Sequence, residues 1–450
     1  MITDLEKIAA DENVRIIGGL AGEFAVKAYL VGGGVRDLLL GRRLKDLDFA
    51  LTGACAELPR RFAKSIGGSF FWLDEERLQG RVVRKGGDGV LTFDFAPQRG
   101  ETIEEDLSQR DFTINALALP LAGGKYALID PTGGFSDLQK GIIRACSPAS
   151  FSDDPLRLLR AVRFAATLGF AIDEASRQTI TMESALLERV AGERVRDELF
   201  QILAAPGIET SLNALLDSGL LGQIVPLVMF GAGSLPTAEE RRSSVEHRIA
   251  VAGRVERIIA EPADYFPAGN EQLLQHLRRE VEAGISILSL VKLAALIDSK
   301  AAPGALEVVA GKLRLGNRSR RILRSSASDG ASLSAMTPEK LSDRAMYRFF
   351  RDSEPAGPGL IIIALAGGAA AIELCARLIT YYFSGYVAEG ADLLLSGSEV
   401  MRLLGCGPGP AVGEAMERLR EAESTGMAST KAEAEAFLTK NLLTKEAPIG

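Results

Sequence analysis

Histidine is almost absent. The 450 residues contain two, His247 and His276, which leaves little material for a His-based zinc site or a Ser–His–Asp triad. Cysteine is nearly as scarce: Cys55, Cys146, Cys375 and Cys406 show neither metal-type spacing nor a dense disulfide framework, and fit a reducing compartment. A positive excess is missing too. Lys and Arg number 52 against 59 Asp and Glu, a net charge of −7, so any nucleic-acid contact must come from a local basic face. The most apolar run, 359–372, has 14 residues with two internal glycines. A bilayer span needs roughly 20, so this run reads as one buried helix. Residues 1–12 carry acids early and no apolar segment, unlike a signal peptide or an Arg-rich transit peptide. The expectation is a soluble cytoplasmic protein with no membrane segment and no zinc.

What is present is an ordinary globular balance, 47% apolar and 25% charged, which excludes wholesale disorder. Residues 1–145 alternate strand-like and turn-like segments. A short run, 28–31, ends in Gly32-Gly33-Gly34; 46–51 alternates strictly; 69–73, 81–84 and 90–96 read as neighbouring antiparallel strands. Beyond residue 154, Leu and Ala recur at helical spacing. The fold class is α+β, a mixed sheet with helices followed by a long all-helical body. Expected boundaries divide it into 1–145, 146–205, 206–335 and 336–450.

Asp46-Leu47-Asp48 is the sharpest chemical feature. Residues two apart in a strand share a face, with Cα atoms about 6.6 Å apart. Two carboxylates so placed can converge on the ion pair of a two-metal phosphoryl-transfer site, and oxygen ligands favour Mg²⁺. Taken alone, an Asp-x-Asp is more often a solvated strand edge. A third acid shifts the balance: Asp94, in Phe93-Asp94-Phe95, lies between two core-facing aromatics. Upstream, Gly33 and Gly34 open a helix-like stretch carrying Arg36, a candidate phosphate cradle. No Gly-Lys-Ser/Thr follows, so it is not a Walker loop, and a Gly-rich turn by itself is usually only a turn.

From 153 to 164, Arg157, Arg160 and Arg163 keep to one helical stripe, opposite Leu158, Leu159, Val162, Ala165 and Ala166. The plain reading is a basic surface helix. The functional one is selection of a nucleotide base.

Six ordered motifs then agree with one family. They are Gly32–Arg42 with Asp46-Leu47-Asp48; Glu104-Glu105-Asp106; Arg110-Asp111-Phe112-Thr113-Ile114-Asn115-Ala116; Asp130-Pro131 through Arg144; Asp153–Phe164; and Glu193-Arg194-Val195-Arg196-Asp197-Glu198. Together they resemble class II tRNA nucleotidyltransferases and bacterial poly(A) polymerases, of the DNA polymerase β-type superfamily. The resemblance implies attack of a tRNA 3′-hydroxyl on the α-phosphate of CTP or ATP, with pyrophosphate released. Asp46 and Asp48 would hold two Mg²⁺ ions. Gly33, Gly34 and Arg36 would hold the triphosphate, and Arg110 and Asp111 would meet the sugar and phosphates. Asp154 and Arg157 would read the base. Gln109 stands where the family usually has Arg, and Asp153 where it usually has Glu.

By the same resemblance the helical remainder would bind the acceptor arm, and the glycine-rich 397–413 is either a phosphate contact or a plain helical hairpin. Residues 290–298 look like a degenerate His-Asp segment in which Ile297 replaces the histidine. Only 95–102, eight residues, separates Asp94 from Ile103. Family members that complete the -CCA end have a longer, lever-like stretch there. The short one implies addition of one or both cytidines, leaving adenosine to a separate A-adding enzyme. Full CCA addition, poly(A) synthesis, and a catalytically inactive RNA-binding protein are the alternatives.

Overall fold

The computed structural model describes residues 11–42, 44, 46–86, 89–121, 127–225, 237–297, 304–326, 333, 336, 341–386 and 391–442. The chain forms two compact units, 1–190 with 217–220, and 191–216 with 221–450. The division at 190/191 falls inside the segment 146–205. The breaks expected near 235 and 335 lie outside the described residues.

The first unit is built on six strands: β1 Ala28–Val31, β2 Asp46–Leu51, β3 Ser69–Asp74, β4 Gln79–Gly86, β5 Gly89–Pro97 and β6 Ala118–Pro120. Their order is β3-β4-β5-β2-β1-β6. The strands β3, β4 and β5 run antiparallel to one another, as their turn-separated spacing implies, while β2 and β5 are parallel. Alternation along each strand makes two unlike faces. Leu30, Leu47, Phe49, Leu51, Phe93 and Phe95 point to one side, against Val14, Ile17 and Leu20 of α1 Glu12–Glu23 and Leu58 and Phe62 of a later helix. That later helix, Glu57–Ile66, is α3; α2 is Gly33–Leu39. Phe49 stacks on Phe95 at 5.0 Å, and the Phe62 ring meets Phe93 and Phe95 edge-on at 5.0 and 5.8 Å.

On the other face Tyr29, Val31 and Ala50 are covered by Ile103 and Leu107 of α4, Ile103–Ser108. That cover stops short of Asp46, Asp48 and Asp94, which share this face and stay partly open. The unit continues through α5 Gly134–Lys140, α6 Ser150–Asp153, α7 Leu156–Leu168 and α8 Glu174–Glu183.

Among its described residues the second unit is helical apart from the small hairpin Glu280–Glu282/Ile285–Ser286. The run expected as one helix over 359–372 is two. Gly357–Ala366 ends where Gly367 and Gly368 follow, the latter at φ +73°, and Ile372 opens the next helix half exposed. Two adjacent glycines, one left-handed, stop the helix despite the apolar run. Ile287–Ala295 is buried along its length, and its Lys292 bonds the Leu203 carbonyl and Glu256, both at 2.9 Å. Ile297 is buried; Asp298 lies outside the described residues. Gly397–Leu404 and Pro410–Ser424 form a hairpin whose core includes Val400, Ala415, Leu419 and Leu438. Among the described residues no helix is long and apolar enough to cross a membrane.

The aromatic side of the sheet gives the first prediction. Phe62→Ala removes a fully buried ring from the packing beneath the acid-bearing strands, a loss of about 3–5 kcal/mol. Urea unfolding should show the lowered stability, with the unfolding slope unchanged.

Candidate active site

Parallel pairing sets Asp46 beside Thr92 and Asp48 beside Asp94 in register. The Thr92 hydroxyl donates to Asp46. Across the antiparallel β4–β5 pair, Arg81 lies opposite Asp94, and its Nε and Nη2 donate to the two carboxylate oxygens at 2.6 Å each. Among the described residues Asp48 has no such direct partner, and its carboxyl is pushed up to about 6. Burial is the first cause and the neighbouring Asp94 the second; Asp46 adds to the repulsion, while Arg110 and Arg81 partly relieve it.

The carboxylate oxygens on this face suit a hard divalent cation, and a cation entering there would displace the proton that Asp48 retains up to about pH 6. Asp46 and Asp48 therefore fit a metal. Among the described residues no three His, Cys, Asp or Glu side chains are gathered about one point as they stand; Asp94 is turned to Arg81 instead.

Gly32 turns the chain from β1 into α2 at φ +73°. A Cβ there would sit 2.9 Å from Nη1 of Arg110 and 3.6 Å from Oδ2 of Asp48, so the turn needs glycine both for its backbone and for the opening. Gly34 is buried against Leu47 and Leu30. Arg36 is drawn inward: it bonds Asn115 at 2.7 Å and Asp37 at 2.9 and 3.0 Å. Gly33 lies under that guanidinium.

Arg110 is held by Asp106, with Nε and Nη2 each 3.0 Å from Oδ1. Asp111 is buried and fully engaged. Burial alone would raise its carboxyl, but Arg160 at 2.6 Å, Asn115 and the Phe112 amide hold it below the usual range. Arg157 donates to the Ser150 hydroxyl at 2.9 Å and the Gln109 carbonyl at 3.1 Å. Asp154, just before α7, accepts from the Leu156 amide at 3.2 Å.

The arginine stripe is no plain solvated face. Phe164, seven residues after Arg157 and so on the same side of the helix, is buried, and Arg36, Arg160 and Arg163 lie 5.2, 5.4 and 3.9 Å from its ring centre. The buried face correspondingly takes in Ala161 and Phe164, while Ala165 and Ala166 are only partly covered.

Two clefts result. One, of about 270 Å³, includes Asp48, Asp94 and Leu73 in its wall. The other, about 230 Å³, is lined by Arg99, Arg110, Asp111, Asp154, Arg157 and Arg160. Arg99 and Arg110 belong to both, so the acidic and basic clefts adjoin through two guanidinium groups. Sequence reasoning passed over Arg99, Arg81, Asp106 and Phe164. Arg99 and Arg81 carry no spacing signal, whereas the Glu-Glu-Asp segment and the aromatic inside the arginine stripe were available clues.

Comparison with known proteins gives a consistent picture. A family profile described as "Poly A polymerase head domain" matches residues 28–144, and one described as "Probable RNA and SrmB- binding site of polymerase A" matches 169–230. A CC-adding tRNA nucleotidyltransferase of Geobacter sulfurreducens is 40% identical over 437 residues, 96% of each chain. An A-adding tRNA nucleotidyltransferase of Deinococcus radiodurans is 32% identical, covering 93% of this chain and 96% of that one. A solved CCA-adding enzyme with CTP aligns at TM-score 0.70 and 24% identity, over 99% of this chain and 98% of its own, a likeness of fold.

The raised carboxyl of Asp48 makes a signed prediction. A carboxyl whose folded pKa lies near 6 instead of 3.8 costs stability as it ionises, so the cost appears as pH rises through about 6 and is absent near pH 4. Asp48→Asn should therefore melt above the parent at pH 7.5 in metal-free buffer. The two should melt together near pH 4, read by calorimetry across the range.

Proposed function

The chain belongs to the tRNA nucleotidyltransferase family built on a poly(A) polymerase-type head, and from that premise we propose that it transfers cytidylate from CTP to the 3′ end of tRNA, stopping after -CC. The 3′-hydroxyl oxygen bonds the α-phosphorus, the bond to the bridging oxygen breaks, and pyrophosphate leaves. The hydroxyl proton departs toward the acidic face.

Asp46 and Asp48 would hold Mg²⁺, two ions by the family's chemistry. Such ions, when bound, neutralise charge on the attacking oxygen and the triphosphate. Asp94 borders the same cleft and completes the acidic wall. Arg110 and Arg99, shared by both clefts, are placed to meet phosphate between the acids and the base. Gly33, Gly34 and Arg36 support that turn from beneath. Asp111, fixed by Arg160 and Asn115 in the wall of the basic cleft, would meet the sugar by giving up one of these bonds. Asp154 and Arg157 are the pair for cytosine: the guanidinium donates to ring nitrogen and carbonyl, and the carboxylate accepts from the exocyclic amine. Uracil and guanine present the opposite order. The segment matched as an RNA-binding region, 169–230, supports contact with the acceptor arm.

One observation carries the choice of -CC. Strand β5 runs to Pro97, so the connection to α4 is residues 98–102, and it is stitched down. The Gln98 amide bonds the Leu51 carbonyl at 2.8 Å, the Arg99 amide bonds Asp106 at 2.9 Å, and the Glu101 amide bonds Glu105 at 2.8 Å. A tether so short and so bonded favours one pocket shape, and one pocket shape favours one base. The 40% identity to a CC-adding relative supports the same choice.

The test uses tRNA transcripts ending at the discriminator base, at -C and at -CC, with each nucleotide supplied singly. Two cytidines should join the first, one the second, and no adenosine the third. Efficient adenosine addition to -CC would refute the -CC limit; adenosine addition without any cytidine would group the chain with its A-adding relative. Independently, Asp46→Asn and Asp48→Asn should each lower turnover at least about 10²-fold with the fold retained, the scale of losing one electrostatic stabiliser. Near-normal turnover in either would remove that carboxylate from the metal site.

A further inference from the structure

The acidic face contains a cation of its own. Arg81 comes from β4, outside every motif that marks the site, and stands directly across the strand pair from Asp94. Both Nε and Nη2 are engaged, one on each oxygen, at 2.6 Å. The pair is partly exposed, 35% for the arginine side chain and 28% for the aspartate, and its aspartate lines the acidic cleft, so the pair is not sealed in the core. Asp46 and Asp48 also act electrostatically on Arg81. Its charge therefore offsets an acidic cluster as well as one carboxylate.

A planar guanidinium on both oxygens uses the lone pairs that would face a hard cation. A purely structural cross-strand pair would be indifferent to divalent ions. This one occupies an acid in register with Asp48.

We propose that Arg81 is a built-in counter-cation of the carboxylate site: in the metal-free protein it holds both oxygens of Asp94, and an entering divalent cation must compete with it. The inference rests on the assignment of Asp46 and Asp48 as metal ligands made above. Arg81 is a positioning residue, acting through Asp94 and not on the nucleotide. It offsets part of the negative charge of the three carboxylates when no metal is bound, and its cost is a higher metal concentration for filling the site.

The experiment measures Mn²⁺ binding to the full chain without nucleotide, by the paramagnetic resonance of free Mn²⁺, together with melting temperature with and without Mn²⁺. It compares the parent with Arg81→Met, Arg81→Lys and Asp48→Asn. Removing a nearby positive charge should tighten Mn²⁺ binding at least about 5-fold in Arg81→Met. Arg81→Lys should fall between, since an ammonium keeps the charge but not the guanidinium's two parallel N–H···O bonds. Metal-free Arg81→Met should melt below the parent, and Mn²⁺ should raise its melting temperature by more than the parent's. Asp48→Asn should weaken binding at least about 10-fold.

Equal or weaker Mn²⁺ affinity in folded Arg81→Met, with Asp48→Asn still weakening it, overturns the role of Arg81 and leaves the carboxylate site standing. Binding that ignores Asp48→Asn overturns the metal assignment and this inference with it. Should Arg81→Met not fold, unchanged affinity in Arg81→Lys overturns the proposal on its own.

Discussion

Repulsion between carboxylates organises the catalytic unit. Two parallel strands in one register set Asp48 beside Asp94, with Asp46 two residues away on the same face. Like charges this close on a half-buried sheet are costly, and the surroundings answer them in different ways. Asp48 keeps its proton to an unusually high pH, Thr92 donates to Asp46, and Arg81 and Arg110 bring positive charge. The opposite face of the same strands is a stack of phenylalanines. Hydrophobic packing below holds the acids where their own repulsion would not.

The second theme is the internal use of arginine. A net charge of −7 says little about a polyanion site when the relevant cations are gathered locally. Arg36, Arg160 and Arg163 surround one buried ring, and Arg160 and Arg157 reach back to Asp111 and to carbonyls of the 109–111 segment. Guanidinium groups with weak hydration and planar faces suit this packing better than ammonium groups. Arg157 and Arg160 are anchored on one side and line the basic cleft on the other, which fixes donor directions before any ligand arrives.

Much of this was legible in the sequence because it is local. Strict alternation over 46–51 put Asp46 and Asp48 on one face and Leu47 and Phe49 on the other, and the structure agrees. The glycines after β1 announced the tight turn, and the spacing of Arg157, Arg160 and Arg163 announced one helical side. What escaped is what depends on pairing. Nothing in the order of residues says that residue 81 will face 94, or that 48 will lie beside it, because strand register is settled by the whole sheet. Phe164 was visible but was read as the end of a motif, not as the ring its arginines gather on. The helix expected over 359–372 breaks at Gly367-Gly368, where backbone freedom outweighs apolar composition.

The stitched connection after β5 has an evolutionary consequence. Asp106 holds the Arg99 amide with one oxygen and the Arg110 side chain with the other. Residues inserted between them could not simply lengthen a surface loop. They would have to free Asp106, and Arg110, beside Asp48 and in the wall of both clefts, would lose its anchor at the same moment. Loop length and pocket geometry are thus inherited together: a lineage that acquired a long lever here would have had to acquire a new support for its arginine in the same step or in close succession.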